Sequence, residues 1–248
     1  MAWQTPKTNW SAADGVRDTD MNRIEGNILE LYNVDTARAN KTIYVTTTGN
    51  DTSGNGTSAS PYATITRALQ DVPKNIGNYT VAIDVGAGTY ADDISIKGIN
   101  GTIIISGAYG ASVSIRSLTV DNCVCSIQAI SLSITTSGIT VTNNGVLLSV
   151  NGITISNSAV GITVTNNSAV YVSSTVSVYD ATTASILVTN LSKAFIYAIA
   201  GATSNALTVE KGSVASYVIL SSSITTVAFI TMTGGRIFEG AQTLAPKY

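Results

Sequence analysis

The sequence predicts an all-β fold, a parallel β-helix in which the chain climbs one storey every two dozen residues or so. Three observations carry that reading. The heptapeptide GITVTNN occurs at residues 138–144 and again at 161–167, a separation of 23 residues. Extending the register in both directions finds an apolar residue at Ile96, Val120, Val141, Val164, Val188, Val209 and Met232, with steps of 24, 21, 23, 24, 21 and 23. Two positions beyond each stands Gly98, Asn122, Asn143, Asn166, Asn190, Lys211 (followed by Gly212) or Gly234. Glycine and asparagine tolerate left-handed backbone, so a tight bend recurs at one place in every storey.

Ahead of each bend the residues alternate, as in Ile139-Thr140-Val141-Thr142 and Ile162-Thr163-Val164-Thr165. A period of two puts β-branched aliphatics inward and threonines outward, as strands require. One storey alone buries too little apolar surface to be stable. Stacked storeys share a continuous aliphatic column, and their backbone groups bond above and below. At roughly 4.8 Å per storey, the seven registered positions extend over about 29 Å.

Four regions follow in order. Residues 1–35 open with an irregular stretch holding both tryptophans and Pro6, then reach Asp20, read as a helix cap. Met21, Ile24, Ile28 and Leu31 come next at spacings of three, four and three, one apolar stripe on a helix of about three turns. So short a helix needs packing, whether on its own solenoid, on a partner protein or on copies of itself about a symmetry axis. Residues 36–41 form a linker. Residues 42–95 read as strand, polar loop, short helix and strand, with Ile65, Ala68 and Leu69 on a helix ended by Pro73. That helix is expected to cover the first storey, because an open solenoid end exposes strand edges and core. Residues 96–248 are the repeating storeys.

Composition narrows the function classes. Only 11% of residues are charged and 6% aromatic, and the net charge is −2 with no run of Lys or Arg. Nucleic acid is therefore not an expected partner, since its binding rests on clustered cations. The first ten residues hold no apolar signal core, and no stretch of about 18 apolar residues occurs, so neither a secretory route nor membrane insertion is expected.

The reactive side chains are few. Histidine is absent, which excludes a histidine-based triad, and Cys123 and Cys125 are the only thiols, too few for a Cys/His zinc site. Both are read as small residues of the solenoid wall, since a disulfide across one intervening residue would be strained. Beyond Ile96 the acids are Asp121, Asp180, Glu210 and Glu239. Glycosidic cleavage generally takes two carboxyls about 5–9.5 Å apart. Asp121 and Glu210 share a bend position but stand four storeys apart, about 19 Å. Arg116 and Arg236, some five storeys apart, have no acid cluster beside them in this reading. Asp92 and Asp93, with Asp84, are read as solvated surface, and residues 51–56 as a polar loop that lacks the distal glutamate of a calcium-binding EF-hand. No catalytic residue, metal or cofactor is expected within one chain. Tyr171, Tyr179, Tyr197 and Tyr217 either stack in the column or offer flat faces to sugars or a protein. Phe195 and Phe238 are expected in the core.

Two stretches resemble known families. The sequence YVTTTGND, continuing through SPYATITRAL to VGAGTY, resembles the opening module of the pectate-lyase-like superfamily, with the storeys behind it extending the likeness over about 200 residues. That resemblance implies a right-handed coil and says little of activity. The opening WQTPKTNW followed by MNRIEGNI is similar to the amino-terminal segment of phage and prophage structural proteins of Gram-positive hosts, over about 32 residues. It implies a virion-anchoring module containing Trp3, Pro6, Lys7, Trp10, Asn22, Arg23, Ile24 and Glu25. The expectation is a non-enzymatic virion appendage of neck, tail or baseplate, a homotrimer through Met21, Ile24, Ile28 and Leu31. It would contact other virion proteins through its amino terminus and a host surface glycan through its body. The alternatives are a polysaccharide-degrading tailspike with a site between subunits, and a cellular glycan-binding module.

Overall fold

A computed structural model describes Thr5, Gly15 and residues 17–37, 39–108, 110–128, 130–149, 152–179, 184–200, 207–210, 212–219, 231–233 and 236–239; only the backbone is described for residues 30–35 and for many strand residues beyond 174. The chain is mostly β and forms a solenoid of parallel strands with few helices.

Three ladders run along it. The first passes from Lys41–Val45 (β1) through Val81–Val85, Thr102–Ser106, Val124–Ile127 and Val146–Ser149 into the opening halves of Ala169–Val178, Lys193–Ala200 and Val214–Ile219, then to Arg236–Glu239. The second passes from Asp93–Lys97 through the closing halves of Ala111–Asp121 and Ile130–Thr142 to Val160–Val164, Ala184–Val188, Leu207–Glu210 and Thr231–Thr233. The third joins Gly88–Thr89, the opening halves of Ala111–Asp121 and Ile130–Thr142, Ile153–Ile155 and the closing halves of Ala169–Val178 and Lys193–Ala200. Long strands thus serve two faces, turning the corner where the pairing shifts, as between Ile115 and Ser117.

The predicted register holds position for position on the second ladder, where Ile96, Val120, Val141, Val164, Val188, Val209 and Met232 are successive Cα partners. The first six are 0% exposed. Alternation explains why: in Val81–Val85 the burial pattern is strictly in and half-out, so one side of each strand feeds the column. Burying each such side chain is worth about 1.5–3 kcal/mol, which is how a chain with few aromatics holds together.

The first storey is closed by residues 46–72. The outer edge of β1 is paired off by the loop, with Tyr44 N donating to Gly56 O at 2.9 Å and Tyr62 N to Tyr44 O at 3.0 Å. The Asp51 carboxylate clasps the far side, accepting from Ala63 N at 2.7 Å, Thr64 N at 3.1 Å and Thr64 Oγ1 at 2.7 Å. A short helix, Ile65–Gln70 (labelled α2; the amino-terminal helix is α1), starts at Thr64, whose Oγ1 accepts from Arg67 N, and buries Ile65 and Ala68 against the first strands. Asp92 supplies a second cap by accepting from Ile65 N at 2.8 Å. At the helix end Tyr62 donates its hydroxyl proton to Asp71, and Arg67 lies 4.3 Å from the Tyr62 ring centre while bonding Asp71 at 2.8 Å. Accepting from Tyr62, Asp71 pushes the phenol up from its ordinary range. Burial works to raise the Asp71 carboxyl, but the bonds from Arg67 and Tyr62 outweigh it and hold it low. The expected cover over the first storey is thus present, fastened by half-buried carboxylates.

Five expectations are corrected. The amino-terminal helix, Asp18–Asp35 (α1), has 18 residues, longer than the three turns expected. Its cap is Arg17, and Asp20 occupies the third helical position, where it accepts from Arg17 N at 3.3 Å. Carboxylates serve both places, because each offers an acceptor to the free amides of the first turn. Arg116 does have an acidic neighbour, Asp93 at 3.3 Å one storey below, and Asp92 is a helix cap rather than solvated surface. Phe195 is not in the core; it is 37% exposed and stacks on Tyr171, also exposed, with ring centres 5.1 Å apart and planes 6° from parallel. Outward and inward positions alternate, and its neighbour Ala194 takes the inward one.

Candidate functional site

The residues expected to anchor and to oligomerise divide into those on α1 and those outside the described residues. Trp3, Pro6, Lys7 and Trp10 are outside, as is the side chain of Leu31. On α1, Met21, Ile24 and Ile28 are 46%, 42% and 60% exposed, so the stripe does not lie against its own solenoid. Asn22 and Glu25 are exposed too. Arg23 turns to the other side, where its guanidinium meets Asp20 at 3.3 Å and Asp20 is buried. The helix thus has a polar, covered side built on Asp20 and Asn27 and an apolar, uncovered one. It joins the body where Thr36 bridges to Asn75 and Ala37 N donates to Asn75 O at 2.7 Å.

The second candidate surface is the bend edge. Asn122, Asn143, Asn166 and Asn190 all have left-handed backbone, φ 51–56°, as the bend reading requires. Their side chains do more than tolerate that geometry. Asn190 Nδ2 donates to Asn166 Oδ1 at 3.1 Å, Asn166 Nδ2 to Asn143 Oδ1 at 3.1 Å, and Asn143 Nδ2 to Asp121 Oδ1 at 2.9 Å. This amide ladder ends on a carboxylate, whose other oxygen meets Lys97 Nζ at 3.3 Å. The Asn143 amide, helped by Lys97 and opposed by desolvation, holds the Asp121 carboxyl below its usual range. A second rung runs beside it, Asn167 Nδ2 to Asn144 Oδ1 at 2.8 Å. Thr189 and Thr165 hydroxyls bond each other at 2.8 Å along the same edge. Such bonds contribute about 1 kcal/mol each and fix the direction of every amide they join.

Sequence reading placed asparagine at the bends for its backbone and missed the ladder. The available signal was Asp121 directly before Asn122, one storey beneath Thr142 and Asn143, with Lys97 one storey below it.

Where the ladder starts, the wall is hollow. A groove of about 380 Å³ is lined by Gly98, Ile99, Asn100, Gly101, Asn122, Cys123, Val124 and Asn144. It adjoins a hollow of about 540 Å³ that shares Gly98, Asn122 and Asn144 and adds Lys97, Asp121 and Asn143. Cys123 at its floor is buried, its Sγ donating to Ile96 O at 3.3 Å, and burial pushes its thiol up. Cys125 is wholly inside the column and pushed up further still. Both are free.

The other acids stay apart. Asp121 and Glu210 hold one ladder position, separated by Thr142, Thr165 and Thr189. Asp180 and the side chains of Glu210 and Glu239 lie outside the described residues. Among the described residues no three of His, Cys, Asp and Glu come together as a metal site would need, and no helix is long and apolar enough to cross a membrane. Tyr171 and Tyr179 are exposed, and the side chains of Tyr197, Tyr217 and Phe238 are outside the described set.

Comparison of the chain with protein-family models, with curated proteins and with solved structures returns no match.

Proposed function

We propose that the chain is a non-enzymatic structural appendage of a phage virion, held to the particle by residues 1–35 and presenting its solenoid to the host surface. The body in this reading is a right-handed parallel β-helix of seven or more turns. Its hand is the one nearly all parallel crossovers take, and its length follows the seven-strand second ladder. The observation that carries the proposal is the exposed stripe of α1. Met21, Ile24 and Ile28 stand uncovered on a helix that leaves the end of the solenoid. With Leu31 they keep the seven-residue spacing of a self-complementary seam, apolar at all four positions. A trimer around α1 brings three bodies onto one axis, and the multiplied weak contacts of several copies supply adhesion. The opening WQTPKTNW and MNRIEGNI, similar to phage structural proteins, set the attachment role for Trp3, Pro6, Lys7, Trp10, Asn22, Arg23, Ile24 and Glu25.

Two measurements test it. Sedimentation should give three times the chain mass of 25.6 kDa. The double variant Ile24→Glu with Ile28→Glu should then sediment as a monomer with an unchanged β circular-dichroism spectrum. A chain lacking residues 1–35 should be missing from particles assembled in its presence. A monomeric wild type, or particles that take up the truncated chain at full level, would refute the reading.

A further inference from the structure

We propose that the hollow over Gly98, at the start of the asparagine ladder, is a binding subsite for a neutral, hydroxyl-rich ligand, a short stretch of glycan chain. This rests on the adhesion reading above and names where on the body contact is made. The shape comes first. The two adjoining hollows have volumes of about 380 and 540 Å³, within the range of about 300–1,000 Å³ that small-molecule sites occupy. They exist because Gly98 stands at the left-handed bend that Asn122, Asn143, Asn166 and Asn190 occupy in later storeys. A Cβ built on Gly98 meets no atom within 4 Å. No side chain stands at that bend, and its space opens to solvent.

The lining chemistry selects the ligand. Asn100, Asn122, Asn143 and Asn144 put amides around the mouth, each both donor and acceptor, and the Asn122 amide has no partner among the described residues. Asn144 accepts from Asn167 through Oδ1, which leaves its Nδ2 to donate outward. Among the lining residues the charged groups are Lys97 and Asp121, paired at 3.3 Å, so the lining itself leaves no unmatched charge for a phosphate or a carboxylate, and Lys74 at the rim spends a donor on Lys97 O at 3.4 Å. Adjacent hydroxyls of a sugar each donate and accept, and paired amides beside a carboxylate meet that pattern. The groups are also pre-positioned. Asn143 is locked between Asp121 and Asn166, and the left-handed backbone of Asn122, Asn143 and Asn144 fixes where each side chain leaves the wall.

Gly98→Asn is the discriminating variant. Asparagine accepts the φ of 59° found there and would put an amide one storey below that of Asn122, filling the hollow without disturbing the column. The intact chain would be applied to an array of purified neutral and acidic bacterial envelope polysaccharides, alongside Gly98→Asn and Asn122→Ala. The expected result is retention on at least one neutral polysaccharide, weakened tenfold or more by either change, with the thermal midpoint of Gly98→Asn not lowered. Retention that survives both changes would overturn the subsite and leave adhesion standing. Retention on no neutral polysaccharide would overturn the subsite and the adhesive role together, while trimer formation and uptake into particles test attachment separately.

Discussion

Val141→Asp should abolish folding. Val141 is 0% exposed and sits between Val120 and Val164 on the second ladder, so a carboxylate there has aliphatic neighbours above and below and no partner for its charge. Burying an unpaired ionised group costs more than the roughly 5–15 kcal/mol that a whole domain has in hand, and protonating it instead still leaves an unsatisfied polar group in the column. The loss should appear as a random-coil circular-dichroism spectrum at neutral pH. Thr140→Asp, one residue earlier, half-exposed on the opposite side of the strand and placed between Thr119 and Thr163, should keep the fold and change stability by about 0.5 kcal/mol or less. If the two variants behaved alike, the inward and outward assignment of this strand would be wrong, because a shift of one residue exchanges every side chain between faces.

The second large effect is at the cap. Asp51→Ala should destabilise the chain by about 3 kcal/mol. The carboxylate accepts three hydrogen bonds, from Ala63 N, Thr64 N and Thr64 Oγ1, and removing it strands two backbone amides at the start of α2. Each bond to a charged group is worth about 1.5–3 kcal/mol, and water recovers part of the loss at this half-exposed position. The effect extends beyond α2, because the same loop pairs the outer edge of β1. Freed, that edge is a template for another chain. Denaturant unfolding should therefore show a lowered midpoint, and light scattering of the variant should rise with concentration. A midpoint within 0.5 kcal/mol of wild type would remove Asp51 from its role as the clasp.

What could be read from the residues, and what could not, divides along physical lines. The column was legible because its cause is local and repeated. Val141 and Val164 sit in identical heptapeptides, and a period near 23 has few structural explanations. Bends at Asn122, Asn143, Asn166 and Asn190 were legible for the same reason, since the αL preference is a property of the residue itself. The amide ladder was not, because it depends on side chains 22 to 24 residues apart pointing along the axis at a common height, which only the folded coil decides. Asp51 and Asp92 look like loop and surface acids in one dimension, yet each reaches the start of α2 across a gap of 12 or more residues. Phe195 was misplaced by its hydrophobicity; the alternation of its own strand, with Ala194 inward, was the better guide. Asp20 looks like a cap because aspartate favours that position, whereas the helix begins two residues earlier and uses it from inside the first turn.

The wall is thus a product of the repeat, and the hollow over Gly98 lies where a bend carries glycine in place of asparagine. Hydrogen stands there instead of an amide, and the amides around the gap are left with unspent bonding capacity. A regular edge offers a ligand only a flat strip; an interrupted one offers a recess with fixed walls.

The central claim is the parallel coil itself, and the spacing of one residue row tests it most directly. A crystal structure of the chain should show the Cα atoms of Val120, Val141 and Val164 in a single line at about 4.8 Å intervals, each strand parallel to the next. Antiparallel neighbours around Val141, or Val141 and Val164 separated by the roughly 10 Å between packed sheets, would contradict the account.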